Sequence, residues 1–264
     1  MFARRPVGGV SLWHVAAWSE RGWLHGFSGR AGGVSRGPYA SLNLGLHVGD
    51  DPACVLENRR RLCRAVGIDP GSLVVGQQVH GAQVAVVTPR DRGRGAFSPD
   101  DAIPGVDALI TDAPGVVLMA LYADCVPVFI YDPKRRAVGL AHAGWKGTAA
   151  GIAGRTLAAM ADAFGTRPED CWAAIGPSIG PCCYEVGEDV AARFSALDPA
   201  LVREQGESRR LDLWAANEQQ LVAAGVPPAQ VTSARLCTRC LQETFFSHRA
   251  QGGRAGRMAA FIGV

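Results

Sequence analysis

The sequence lacks any uninterrupted apolar run of about 18 residues, the length that a membrane-spanning helix needs. Charge of one sign is also lacking: 19% of the 264 residues are charged, and the net charge is only +3. The arginine groups at 59–61, 135–136 and 209–210 are short and scattered, so we interpret them as solvated surface. We therefore expect neither a membrane nor a nucleic acid as a partner.

Cysteine and histidine are scarce as well. Eight cysteines are too few for a disulfide scaffold, and the N-terminal segment has no small-residue cleavage site typical of a signal peptide. We therefore expect a cytoplasmic protein with reduced thiols. The hydrophobic fraction of 48% is sufficient for a real core and is typical of a globular enzyme.

Helical and strand patterns alternate without a regular βαβ rhythm. The segment DPACVLENRRRLCRAVG has helical spacing, with Asp51 as its N-cap and Gly67 at its end. GTAAGIAGRTLAAMADAFG is predicted to be one helix that ends at Gly165, and GRMAAFIGV to be a final strand. These patterns favour a mixed α+β (α/β) fold with a mixed sheet and surrounding helices, in a single domain over residues 1–264.

The segment ADCVPVFIYDPKRRAVGLAHAGWKG predicts a β-hairpin, because two apolar runs flank a turn that contains proline. If Tyr131 pairs with Ala137, Val126 lies opposite His142 and Cys125 is its neighbour. The hairpin would thus bring the Cys125 thiol and the His142 imidazole together at its open end.

A third candidate ligand is His80, which sits at a strand–turn junction in GQQVHGAQV. Two histidines and one cysteine with an open fourth position form a catalytic zinc arrangement, and the same set also suits copper. From spacing alone, a buried structural cysteine with two hydrogen-bonded histidines remains the alternative. Asp124 beside Cys125 adds a carboxylate for acid–base chemistry or for a structural role.

The segment HAGWKGTAAGI suggests an anion site. Gly144 and Gly147 can expose backbone N–H groups, Thr148 can cap the helix that follows, and Lys146 places a cation at its start. Phosphate is the expected anion. A simple strand-to-helix turn is the alternative.

Two other cysteine groups are Cys182 with Cys183, and Cys237 with Cys240 in a C-x-x-C pattern. Together they could bind a structural zinc, but adjacent cysteines are poor ligands for one ion and a single C-x-x-C is a weak signal. We therefore favour the absence of a second metal site. The other cysteines, Cys54, Cys63 and Cys171, are interpreted as core residues.

The motifs GGVSRGPYASLNLGLHVGDDP, QQVHG, DALITD, ADCVPVFIYDP, HAGWKGTAAGI, GPSIGPCCYEVG and FFSHRAQGGRAGRMAAFI follow one another in order. This series resembles the YfiH/laccase-domain family from about residue 26 onward, a family described both as multicopper polyphenol oxidase and as purine nucleoside phosphorylase. The resemblance implies a single domain of YfiH-like fold with one metal, usually zinc, on His80, Cys125 and His142.

The resemblance further implies phosphorolysis of adenosine, inosine and methylthioadenosine, together with adenosine deamination. In that hypothesis His80, Cys125, His142 and Asp124 are catalytic, with Asp124 as the candidate proton shuttle. Purine nucleosides and phosphate are the partners, and the protein is a monomer or small homo-oligomer.

Phosphate would lie near Lys146, with Asn43 or Arg30 as helpers. One alternative is a copper-dependent polyphenol oxidase, although a multicopper cluster demands more histidines than the six present. A second alternative is a hydrolase that edits peptidoglycan precursors, with Cys125 as a nucleophile activated by His142.

Overall fold

A computed structural model describes residues 1–206 and 208–264. The strands of the described residues are β1 (Phe2–Val7), β2 (Val10–Val15), β3 (Leu24–Ser28), β4 (Leu73–Val75), β5 (Val84–Val86), β6 (Ala108–Thr111), β7 (Val117–Tyr122), β8 (Val126–Asp132), β9 (Ala137–Ala143), β10 (Trp172–Ile175), β11 (Glu185–Val186), β12 (Val202–Gln205), β13 (Ser208–Leu211), β14 (Val231–Ser233) and β15 (Met258–Gly263). The α-helices are α1 (Ala16–Glu20), α2 (Pro52–Val66), α3 (Trp145–Ala149), α4 (Ile152–Phe164), α5 (Glu188–Ser195) and α6 (Leu213–Ala223).

The strands form two mixed sheets and one small antiparallel sheet. The first large sheet has the order β1-β2-β3-β15-β7-β4, and only β4 and β7 pair in parallel. The second has the order β14-β10-β8-β9-β6-β5, with parallel pairs at both edges. The small sheet has the order β11-β13-β12. Within the described residues, no helix is both long enough and apolar enough to span a bilayer.

The two large sheets pack face to face and share a core. Phe27, Leu118 and Tyr122 from the first sheet contact the same cluster as Phe129 and Leu140 from the second. Helix α2 covers the outer face of the first sheet, whereas α4, α5 and α6 cover that of the second. Because this shared core draws on residues from both ends of the chain, it supports the prediction of one domain over residues 1–264, which stays a prediction.

Helix α2 begins and ends where the sequence predicts. The Asp51 side chain accepts a hydrogen bond from the Ala53 N–H at 2.8 Å, and Gly67 ends the helix in the left-handed conformation at φ 72°. The solvated-surface interpretation is wrong for Arg59, however. This residue lies on the same helical face as Val55 and Leu62 and is buried.

The segment predicted as one helix after β9 is two helices. Gly151 adopts the left-handed conformation at φ 79°, which ends α3 and starts α4. Gly165 ends α4 as predicted.

The β8–β9 hairpin forms, but its register differs by one residue from the prediction. Tyr131 pairs with Val138, and His142 lies opposite Pro127. The reason lies in the turn: the Asp132 carboxylate accepts hydrogen bonds from the backbone N–H groups of the next loop residues, 134 and 135, at 2.9 and 3.0 Å. Asp132 therefore stays in the strand, and a four-residue loop connects the two strands.

Candidate active site

Three segments bring His80, Cys125 and His142 together at one end of the sheets. His142 is on β9, Cys125 immediately precedes β8, and His80 lies in the connection from β4 to β5. Their potential ligand atoms all lie within 4.8 Å of one another. We call these residues the ligand trio. His142 is buried, Cys125 is half-buried and His80 is exposed, so the trio faces solvent on the His80 side.

The backbone around the trio is shaped for close contact. His80 is in the left-handed region at φ 61°, which is uncommon for a residue other than glycine. Gly144 lies directly beside the trio, because a Cβ there would be 3.2 Å from the Cys125 Sγ and 3.3 Å from the His80 ring. The chain therefore uses a glycine after β9 to leave room for the ligand side chains.

Asp107, just before β6, supports two members of the trio. Its Oδ1 lies 2.8 Å from the His142 Nδ1 and accepts a hydrogen bond from the His80 N–H at 2.9 Å. Its Oδ2 accepts hydrogen bonds from the Gly81 N–H at 2.6 Å and the Val79 N–H at 3.2 Å. Asp107 was not among the site residues predicted from sequence. The only signal was an aspartate directly before a buried strand.

The electrostatics favour a thiolate within the trio. Burial raises the pKa of the Cys125 thiol, but the charge and hydrogen bond of His142, with a contribution from His80, lower it to about 6. Burial lowers the pKa of His142, but the Cys125 charge and the Asp107 hydrogen bond raise it to about 9. Burial likewise raises the pKa of Asp107, and hydrogen bonds from His142 and the backbone outweigh this effect.

The donor set of the trio fits a single zinc or copper ion. One thiolate and two imidazoles with a side open to solvent leave a fourth position for water or substrate. Asp107 occupies the Nδ1 side of the His142 ring, so Nε2 faces the shared centre. A carboxylate behind a ligand histidine is the usual support of a protein zinc site.

The trio lies in a cavity of about 910 Å³, within the range of small-molecule sites. Apolar side chains such as Leu121, Ile179 and Leu213 line part of it, together with the aromatic rings of Trp145 and Tyr184. Arg59, Arg249 and Arg257 supply positive charge to its lining, which also includes His47 and His248; none of these five residues was predicted from sequence as a site residue.

Asp124 also lines this cavity, next to Cys125. Its Oδ1 accepts a hydrogen bond from the Thr238 hydroxyl and its Oδ2 accepts one from the Arg249 N–H, both at 2.7 Å. The Asp124 carbonyl accepts a further bond from the Ile179 N–H at 2.9 Å. Two hydrogen bonds therefore fix the carboxylate of Asp124, and a third fixes its backbone.

Asn43 and Arg30 lie outside the cavity lining in the described part of the chain. Asn43 is fully buried, and its Oδ1 accepts hydrogen bonds from the N–H groups of Arg257 and Gly45 at 2.8 and 3.0 Å. Arg30 donates to the Ala40 and Gln242 carbonyls. Both residues position loops, and Asn43 holds the backbone of a cavity residue.

The glycine turn after β9 does not present the predicted anion site to the cavity. Lys146 is exposed, with its ammonium 5.6 Å from the Trp145 ring centroid, and among the described residues it is not part of the cavity lining. Thr148 is buried inside α3 and caps no helix. Gly147 permits close packing, because a Cβ there would lie 2.7 Å from the Gly81 carbonyl oxygen.

Arg59 on α2 lines the cavity, and three backbone carbonyls hold its guanidinium group. Its Nε donates to the Leu44 carbonyl at 2.9 Å, and its Nη1 donates to the Gly95 and Ala96 carbonyls at 2.6 and 2.7 Å. Burial lowers its pKa to about 10, so it stays charged at neutral pH. Arg59 is one of three consecutive arginines, and such a run is usually exposed, so its burial was not expected from sequence.

The two remaining cysteine groups also converge. The Sγ atoms of Cys182, Cys183, Cys237 and Cys240 all lie within 4.8 Å of one another. A turn at 181–183 directs the sulfurs of both adjacent cysteines towards Cys240, so their being neighbours in sequence does not keep them apart from the other two. Cys63 and Cys171 are buried as predicted, whereas Cys54 is only half-buried.

Comparison with known proteins gives consistent matches over nearly the whole chain. Residues 24–264 match the family described as multi-copper polyphenol oxidoreductase laccase. A Geobacillus stearothermophilus protein named purine nucleoside phosphorylase YlmD is 45% identical over 262 residues, which covers 92% of this chain and 94% of the relative. A protein from an unknown prokaryotic organism, named adenosine deaminase RL5, is 38% identical over 247 residues, with 91% and 93% covered.

The fold has a solved counterpart. The crystal structure of the Bacillus licheniformis hypothetical protein YfiH matches with a TM-score of 0.93 at 40% identity, covering 98% of this chain and 97% of that one. The predicted mixed α+β, YfiH-like fold is thus confirmed.

Proposed function

The chain belongs to the multi-copper polyphenol oxidoreductase laccase family, and we propose that it is a purine nucleoside phosphorylase with adenosine deaminase activity. Its substrates in this proposal are adenosine, inosine and methylthioadenosine, and its metal is zinc. The observation that carries the proposal is the convergence of His80, Cys125 and His142 at a cavity large enough for a nucleoside. The names of the two relatives support this assignment of activity.

The ligand trio suits the chemistry of both reactions. Zinc bound there supplies a Lewis acid and lowers the pKa of a bound water towards 7. Asp107 fixes the orientation of His142, and His142 keeps the Cys125 thiol ionised. Asp124 stands beside Cys125 at the cavity surface, held by two hydrogen bonds, so we propose it as the group that carries a proton to or from the substrate.

The cavity lining suits a purine nucleoside and phosphate. A purine ring can stack on Trp145 or Tyr184, which both line the cavity. Phosphate needs cations, and we propose Arg249 and Arg257 as its partners in place of Lys146. A guanidinium group can donate two parallel hydrogen bonds to phosphate oxygens, and both arginines line the cavity.

The test is phosphate-dependent release of the free base from each of the three nucleosides, together with ammonia release from adenosine. We expect Cys125→Ala to lose more than about 100-fold in kcat, because it removes a ligand rather than a supporting residue. Cys54→Ser is the matched control, since Cys54 lies on α2, away from the trio. A Cys125→Ala protein with full turnover would refute the site.

The phosphate assignment has its own test. We expect Arg257→Gln to raise the KM for phosphate about tenfold or more, whereas Lys146→Gln leaves it unchanged. If Lys146→Gln raises the KM for phosphate and Arg257→Gln does not, phosphate binds near Lys146 on α3 instead. A thiol nucleophile at Cys125 without metal, as in an editing hydrolase, predicts instead that chelators leave turnover intact.

Phenol oxidation is the second candidate, because the family carries an oxidase description. Among the described residues, His80, Cys125 and His142 form the only group of three or more potential ligands that contains histidine. Oxygen uptake with a phenol, measured on copper-loaded and zinc-loaded protein, separates this reaction from nucleoside turnover.

A further inference from the structure

Four cysteines form a compact group outside the catalytic cavity. Cys182 and Cys183 come from the loop after β10, and Cys237 and Cys240 come from the loop after β14. The Cys240 Sγ lies 3.5 Å from the Cys182 Sγ and 3.4 Å from the Cys183 Sγ. We call these four residues the cysteine cluster. All four are free thiols.

We propose that the cysteine cluster is a second metal site, a tetrathiolate centre for Zn²⁺. Zinc–sulfur bonds of about 2.3 Å in a tetrahedron place the sulfurs about 3.8 Å apart, and the cluster already gathers its sulfurs within 4.8 Å. Soft thiolate ligands in this geometry select zinc or iron. On binding, the thiols release their protons to solvent and no electron is transferred.

Backbone hydrogen bonds also join the two loops that carry the cluster. Ser178 and Cys237 form a parallel β-bridge, in which the Ser178 N–H donates to the Leu236 carbonyl and the Thr238 N–H donates to the Ser178 carbonyl, both at 3.1 Å. The Gly180 N–H donates to the Cys237 Sγ at 3.3 Å. A backbone donor on a sulfur stabilises the thiolate that a metal requires.

The surroundings also suit the negative charge of a tetrathiolate centre. The Arg210 Nη1 donates to the Cys182 carbonyl at 2.6 Å. Arg239 and Arg249 line a second, smaller cavity with Cys183. Three guanidinium groups thus lie around a site where Zn²⁺ with four thiolates would carry two excess negative charges.

The cluster is a structural site rather than a part of the reaction. Cys237 and Cys240 flank Thr238, whose hydroxyl donates to the Asp124 Oδ1 at 2.7 Å. Ile179, on the other cluster loop, donates its N–H to the Asp124 carbonyl at 2.9 Å. A metal in the cluster therefore fixes both loops that hold Asp124 at the edge of the catalytic cavity.

The experiment separates the two sites by mutation and uses the full chain, purified under reducing conditions. In Cys125→Ala, which disables the trio, we expect about one zinc equivalent per chain by elemental analysis. Adding Cys240→Ser to this variant should remove that equivalent, whereas adding Cys54→Ser should not. Cys240 is exposed, so its serine variant should keep the fold, which circular dichroism checks.

Cobalt gives a direct readout of the ligand type. Co²⁺ in the Cys125→Ala protein should show an intense near-ultraviolet thiolate charge-transfer band, and each cysteine-to-serine change in the cluster should weaken or abolish it. In the unmutated protein, a mercurial that blocks thiols should release about two zinc equivalents per chain, one from the Cys125 site and one from the cluster, whereas a single equivalent would mean that the cluster holds none. This measurement needs no variant and therefore does not depend on folding of a mutant.

Three results would overturn the proposal. One is a Cys125→Ala protein without metal and with all cluster thiols free to react. Another is a disulfide between Cys182 or Cys183 and Cys240, found by mass analysis of unreduced protein. The third is stoichiometric iron in place of zinc. Each outcome is independent of nucleoside turnover, so the proposal can fail while the proposed enzyme activity stands.

Discussion

Asp107→Asn tests the support of the ligand trio while preserving its shape. The carboxylate accepts the backbone N–H of His80 and faces the His142 Nδ1 with Oδ1, and it accepts the N–H groups of Gly81 and Val79 with Oδ2. An asparagine amide has only one acceptor oxygen. If the NH₂ group takes the place of Oδ1, it faces the His80 N–H and the His142 Nδ1. If it takes the place of Oδ2, it faces the N–H groups of Gly81 and Val79.

The magnitude follows from these four contacts. An N–H group that loses its acceptor in a buried site costs about 1–3 kcal/mol. The His80 N–H loses its acceptor in one amide orientation and the Gly81 and Val79 N–H groups lose theirs in the other; because all three are only part-buried, we expect the free energy of unfolding to fall by about 1–3 kcal/mol. If the NH₂ group faces His142, it donates to Nδ1 and the proton moves to Nε2, the nitrogen that should bind the metal. Loss of such a supporting residue weakens zinc binding about 10–100-fold, which corresponds to about 1.4–2.7 kcal/mol.

Two assays measure these effects. Urea unfolding of metal-free protein gives the stability change, and competition with a chelator gives the zinc affinity in a Cys240→Ser background that leaves only the trio. Asp112→Asn is the matched control, because Asp112 is an exposed aspartate at the end of the same strand. An Asp107→Asn protein within about twofold of wild-type zinc affinity would refute the reasoning.

Three other predictions concern stability and packing. Burial is the main cause that lowers the pKa of His25 from 6.5 to about 4 in the folded protein. Between these two pH values the unfolded chain binds more protons than the folded protein does. About 3 kcal/mol of stability, fully present above pH 6.5, is therefore lost as the pH falls to about 4. Urea unfolding of His25→Gln should therefore show a smaller fall between pH 7 and about pH 4 than wild type, and an equal fall would contradict this. Gly144→Ala places a methyl group against the Cys125 sulfur and should weaken zinc binding at the trio about tenfold. Gly154→Ala is the control, because Gly154 in α4 has open space around it; this change should raise the free energy of unfolding by about 0.5–1 kcal/mol. In Arg59→Lys all donors sit on one nitrogen, whereas Nε and Nη1 of Arg59 reach carbonyls in two different loops, at 44 and at 95–96; the variant should lose one or two of these hydrogen bonds and about 2–4 kcal/mol in urea unfolding. Unchanged stability would show that those hydrogen bonds matter little.

The ligand trio was accessible from sequence because two of its members lie on one hairpin. Turn residues between two apolar runs are a local signal for a hairpin. That hairpin predicted the proximity of Cys125 and His142, although the predicted strand register was wrong by one residue. His80 was different, since it lies in the connection between β4 and β5, which belong to different sheets. Its place at a strand–turn junction made it only a candidate for the third ligand, and the resemblance to a known family strengthened that prediction.

The supporting residues were not accessible, because their roles depend on long-range contacts. Asp107 is 35 positions from His142 in sequence, and Arg59 reaches carbonyls that are 36 and 37 positions away. Lys146 lies outside the cavity lining for a local reason, since the predicted long helix is interrupted: the chain forms only the short helix α3 and turns again at Gly151. Spacing patterns do not report which face of such a short helix meets a cavity.

The ligand trio and the cysteine cluster share one support, Asp124, so metal binding at the proposed cluster site would affect the proposed reaction. Asp124 is held in the left-handed region at φ 88°, a conformation that persists in a residue other than glycine only when its surroundings enforce it. Ile179 and Thr238, one from each loop of the cysteine cluster, supply two of its contacts, and Arg249 supplies the third.

Since Cys125 is the next residue after Asp124, release of these loops would shift the Cys125 thiol relative to His80 and His142. A displacement of about 1 Å at a reacting group can cost about 100-fold in rate. Loss of metal from the cluster should therefore lower kcat while the trio keeps its zinc, and unchanged kcat after that loss would show that the hydrogen bonds alone hold Asp124.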